Sequence, residues 1–229
     1  MTGDGGSGSA SWAEWSRQLD ETGVVELTAG RRVVARVDRD GVLLPARDLR
    51  VPWARLGFAE GVEAGRLDMV PSTFTLWVSR TWWADHIAGS TGDERRRAER
   101  ELRDGWALPS VPFKSWSRVP VESFGEWLSA EAVTRAPLPD RFSLTPTPET
   151  PVFDRDSNRP VPLDRLPVSH VLRARLAAWG AAADAVPVAE RTTDAAWEAF
   201  LPEGRALAAS LQEETGRPAA VWADCPDVP

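Results

Sequence analysis

Hydrophobic positions along the chain change period three times, and each change predicts a change of element. Trp12, Trp15 and Leu19 fall at i, i+3 and i+7, on one helical face. Ser11 and Glu14 match a capping box, in which each side chain bonds the other residue's backbone N–H, and Thr22-Gly23 ends the helix. From residue 24 to residue 80 the period shortens to two. Runs at 24–27, 32–37 and 42–44 are separated by Ala29-Gly30 and by Asp40-Gly41, the second a strong hairpin signal. Residues 72–83 are the clearest later strand: Phe74, Leu76 and Val78 share one face, and Thr73, Thr75, Trp77, Ser79 and Thr81 share the other. Short strands joined by tight turns predict a small antiparallel sheet or partly open barrel.

The helical period returns at 91–105. Thr91 and Glu94 form a second capping box, and Asp93/Arg97 and Glu99/Arg103 are acid-first i, i+4 pairs above a narrow Ala98–Leu102 stripe. Ser123 and Glu126 form a third, with Phe124, Trp127 and Leu128 on the buried side. Residues 137–167 hold eight of the 19 prolines, and TPTPETP at 145–151 excludes a regular helix or a central strand. Beyond it Leu172, Leu176, Trp179 and Ala183 make one helical stripe, and Trp197, Phe200, Gly204, Leu207 and Leu211 make another. Pro202 interrupts that second helix or restarts it in a new first turn, Gly216 ends it, and 219–223 returns as a strand.

The fold class is therefore α+β: an N-terminal antiparallel β module, then helices, a proline-rich strap and a helical C-terminal part. The expected organisation is a disordered tail at 1–10, an α+β module at 11–136, a linker or strap at 137–167 and a helical part at 168–229. A packed strap would join the last part to the module as one domain.

Composition narrows the function classes. The chain has 229 residues, 42% of them hydrophobic and 27% charged, as in an ordinary globular protein. Apolar runs are too short to cross a membrane. MTGDGGSGSA has neither the basic start nor the apolar stretch of a secretory signal, and the single Cys225 closes no internal disulfide, so the expected location is cytoplasmic. Twelve tryptophans stand beside no tyrosine, one lysine, one isoleucine and one asparagine. The four scarce types share A/T-rich codons, which points to a bacterium with a G/C-rich genome and removes arginine richness as an argument for nucleic-acid binding. Residues 23–120 carry 16 basic and 13 acidic groups, whereas 184–229 carry three basic and nine acidic ones. An acidic end repels phosphate backbones and favours a basic protein partner, so no nucleic acid is expected.

Candidate chemistry is sparse. Gly3, Gly5 and Gly8 spell G-x-G-x-x-G, but no strand precedes them. Asp154, Asp156 and Asn158 resemble the start of a calcium loop, but its sixth and twelfth positions are Arg159 and Arg165, so the segment reads as a surface Asx-turn or a local ion-pair cluster. Two histidines and one cysteine give no metal-ligand spacing, and neither a metal nor a cofactor is expected. His86, with Asp85 and Arg80 beside Trp82 and Trp83, is the candidate for acid–base work on a small anion, with no nucleophile motif beside it. His170, at a helix start, and Cys225 read as ordinary. Trp106, Phe113 and Trp116 sit in the loop GWALPSVPFKSWSRVP, within 22 residues that also hold Phe124 and Trp127. Rigid indoles on such a loop either bind a ligand or partner or pin the loop to the core. The leading expectation is a non-catalytic interaction or accessory protein: a partner, chaperone or immunity-like protein. The alternatives are a small-molecule or peptide-binding module using the Trp106–Trp127 segment, and an enzyme acting on a small anion through Arg80, Asp85 and His86.

Overall fold

Alternating runs broken by glycine-containing turns fold into an antiparallel meander of β1 (Val24–Ala29), β2 (Arg32–Asp38), β3 (Gly41–Leu44) and β4 (Leu49–Pro52), in that spatial order. The structure is a computed structural model that describes residues 7–62, 72–103, 110–113, 120–186 and 197–225. It divides into two compact units, Met1–Pro137 and Leu138–Pro229, and the meander belongs to the first. Val25, Leu27, Val37, Val42, Leu44 and Val51 are among its buried side chains. The Trp53 indole N–H is shared between the carbonyls of Asp38 (3.2 Å) and Arg39 (3.1 Å) and so clamps the β2–β3 turn. Arg50 donates to both carboxylate oxygens of Asp38, at 2.8 and 2.9 Å. Burial alone would raise the pKa of Asp38, but Arg50 and the backbone N–H groups of Asp40 and Gly41 outweigh it and hold the carboxyl below its usual range.

A second antiparallel sheet of the same unit has the order β5 (Leu56–Val62), β6 (Ser72–Val78), β7 (Ser110–Phe113). Phe74, Leu76 and Val78 point into the core as their alternation predicts. The strand expected over 72–83 stops at Val78, however. Trp83 and Ile87, four apart, are both buried, so the helical period takes over in α2 (Arg80–Gly89; α1 is Ser7–Thr22). Ser79 is its N-cap, accepting from the Trp82 N–H at 3.3 Å. α3 (Gly92–Arg103) follows.

α4 (Val121–Arg135) then lies against β5. It starts directly behind Pro120, so Ser123 sits inside the first turn and does not act as the expected cap. Phe124, Trp127 and Leu128 are buried as expected. The Trp127 indole donates to Ser16 Oγ at 3.0 Å, and Ser16 donates to Glu131 at 2.6 Å, which ties α1 to α4. The approach to β5 is so close that a Cβ on Gly61 would lie 2.0 Å from the Val121 carbonyl oxygen. At the outer edge of β5 the Ser129 hydroxyl accepts from the Ala59 N–H (2.9 Å) and lies 3.1 Å from the Ala59 carbonyl, sealing that edge.

The second unit has a three-stranded sheet of order β10 (Ala219–Val221), β8 (Phe142–Leu144), β9 (Val152–Asp154). β10 runs parallel to β8, and β9 antiparallel. TPTPETP is the connection between β8 and β9, closed by the Thr145 N–H on the Pro151 carbonyl at 3.0 Å. α5 (His170–Ala182), capped by Ser169, and α6 (Leu201–Thr215) bury Leu172, Leu176, Trp179, Leu207 and Leu211. Pro202 occupies the first turn of α6, and Gly216 ends it at φ +68°, as the stripe predicts. β10 is shorter than expected because the chain turns into a 3₁₀ turn at Trp222. The molecule is α+β, and no helix among the described residues is long and apolar enough to cross a membrane.

Candidate functional site

α2, α3 and the turn after β3 bring five chemically distinct side chains together in the first unit. Arg47, whose side chain is fully buried, lies 5.4 Å from the centre of the Trp83 ring and pairs with Glu94 at 2.6 Å. His86 stacks on Trp83, with ring centres 4.9 Å apart and planes inclined by 12°, and its Nε2 is 3.6 Å from the same Glu94 oxygen. Ser90 Oγ is 3.3 Å from that nitrogen and donates to the His86 carbonyl at 2.7 Å, closing the end of α2. A nucleophilic relay places its hydroxyl and its carboxylate on opposite ring nitrogens. Here both approach Nε2, and the carboxylate already serves Arg47. The geometry is that of a clamp joining α2 and α3 to the first sheet.

This placement regroups the sequence candidates. His86 lies within α2, where a strand end was expected. Arg80 and Asp85 are exposed on the same helix, and the carboxylate facing His86 belongs to Glu94. Glu94 in turn spends its Oε1 on Arg47, not on a capping box with Thr91. The Arg47–Glu94 pair escaped sequence reasoning because 47 positions separate the two, and Glu94 was read only as the capping partner of Thr91.

In the second unit the D-x-D-x-N segment is an Asx-turn, as its residue types predict, but Asp154 and Ser157 are buried, while Asn158 is exposed. Asp154 Oδ1 accepts from the Asp156 N–H at 3.0 Å, Asp154 Oδ2 from Ser157 Oγ at 2.8 Å, and Arg159 lies 3.3 Å from the same carboxylate. Burial pushes the Arg159 guanidinium below its usual pKa; Asp154 pulls it back up, and Arg165 adds to the lowering. No group of three or more His, Cys, Asp or Glu side chains suited to a metal exists among the described residues.

An open groove of about 560 Å³ runs between α6 and β10 in the same unit. Arg205, Ala208, Ala209, Gln212 and Glu213 line its helical wall, and Ala219, Ala220 and Val221 its strand wall. The parallel pairing decides which main-chain groups face it. Ala219 is registered with Phe142, whose N–H donates to the Pro218 carbonyl at 2.8 Å. Residues 218 and 220 therefore bond to β8, and Ala219 and Val221 turn their N–H and C=O groups away from it. The Val221 carbonyl takes the Cys225 thiol at 3.3 Å. Sequence reasoning missed this site, although its signal was present: Ala208, Ala209, Ala219 and Ala220 are small residues on both sides of a helix end.

Trp106 and Trp116 lie outside the described residues. Phe113 ends β7, the third strand of the second sheet, and Trp127 is core. No protein-family model matches the chain, and neither a curated protein nor a solved structure is significantly similar to it.

Proposed function

We propose that this chain is a non-catalytic interaction protein of the bacterial cytoplasm. The observation that supports it is the open groove between α6 and β10, bordered by a strand whose Ala219 main-chain groups turn away from β8. A small ligand is normally enclosed by its pocket, with most of its surface buried. A shallow trough beside a strand edge suits a length of polypeptide. The enzyme reading has less behind it: Arg80 and Asp85 are exposed, and His86 and Glu94 are part of a clamp. Partner binding is tested by native mass spectrometry of the untagged protein, purified at low salt from the cells that make it. The expected result is a second polypeptide in fixed stoichiometry. A bare chain, or a chain carrying only a small-molecule adduct, would sink the proposal.

A further inference from the structure

We propose that the α6–β10 groove binds an extended, basic peptide segment, added as a further strand on β10. The inference deepens the interaction reading and rests on it. Strand addition needs main-chain groups at an open edge, and the N–H and C=O of Ala219 and the N–H of Val221 are directed there. It also needs room for the side chains of the incoming strand, which Ala208 and Ala209 leave on the helical wall.

Charge then selects the occupant. Arg205, the cation of the groove, is held by both oxygens of Asp224, at 2.8 and 2.7 Å. Glu214 is turned to Ser169, whose hydroxyl donates to it at 2.8 Å. Asp224 lines the groove too but is spent on Arg205, which leaves Glu213 as the lining carboxylate with no ion pair among the described residues. A lysine or arginine on the bound segment complements it, and the excess of acidic groups over 184–229 steers such a segment towards this end of the chain.

The probe is a display library of unbiased dodecapeptides selected on the full chain, followed by fluorescence anisotropy of the enriched sequences. Enriched peptides should share a basic residue at one position within an alternating apolar pattern. Glu213→Arg should weaken them by about tenfold or more and restore binding when their basic residue is replaced by glutamate. Ala219→Pro removes an outward N–H without touching a bond to β8, since proline is tolerated at such edge positions. It should abolish binding while the melting temperature is retained. Should that variant misfold, Ala209→Trp fills the groove from the exposed side of α6 and should abolish binding in its place. Selection without a common basic position, or peptide binding unchanged in the folded variants, overturns the proposal. A partner recovered from the native cells that binds these variants as tightly as the wild type also overturns it, but leaves the interaction reading standing. Peptide binding that is lost in the variants, with no cellular partner found, upholds the strand addition and sinks the interaction reading.

Discussion

Arg47 and Arg159 are both buried, one in each unit, and they are held in opposite ways. Arg159 meets Asp154 five residues away, within a single turn that also engages Asp156 and Ser157. Arg47 meets Glu94, 47 residues away on another element, and rests on an aromatic ring. The first arrangement comes with its turn. The second exists only once α2 and α3 have docked. A local cluster can be written into a few consecutive residues, whereas a long-range one follows from the packing of elements.

The largest expected effect separates the two. The Asp154 and Arg159 side chains are 6% and 3% exposed, so Asp154→Ala removes a buried carboxylate from three partners and should cost about 3–5 kcal/mol in denaturant unfolding. Glu94 is 26% exposed, and its loss leaves Arg47 on the Trp83 ring. Glu94→Ala should therefore cost less, about 1.5 kcal/mol. Equal costs would break the comparison and show that docking, not locality, sets the strength of both.

The Arg50–Asp38 pair gives the lower reference. Arg50 is 43% exposed, so solvent screening leaves the pair about 0.5 kcal/mol. Because the folded pKa of Asp38 lies below its ordinary 3.8, its contribution is complete above that value and is lost as pH falls through the folded value. The stability difference between wild type and Asp38→Asn should thus be constant from about pH 7 to 5 and shrink below about pH 4. A difference that grows on acidification would contradict the assignment.

The same division governs how much could be read beforehand. The β2–β3 hairpin, the buried faces of α4, α5 and α6, the restart at Pro202 and the stop at Gly216 are set by residues close together in sequence, and they were legible. The switch at Ser79 was not. Ser79 and Thr81 satisfy a strand's alternation as well as a helix start, and only the docking of Trp83 and Ile87 decides between them. The Thr91 and Ser123 capping boxes failed for related reasons: a distant arginine claims Glu94, and α4 starts two residues ahead of Ser123. The two walls of the groove are neighbours in sequence, but the open edge of β10 was not legible, because it is set by the pairing of residue 219 with residue 142.

The Ser129 hydroxyl on Ala59 also imposes a timetable. β5 and β6 are synthesised roughly fifty residues before Ser129, which at roughly 5–20 residues per second is an interval of several seconds. Throughout it the N–H and C=O of Ala59 stand at an unsealed strand edge, open to pairing with another nascent chain. A ribosomal pause that delays the emergence of Ser129 after β5 and β6 have left the ribosome lengthens that exposure, so the tempo of translation bears on whether this edge meets α4 or another chain first.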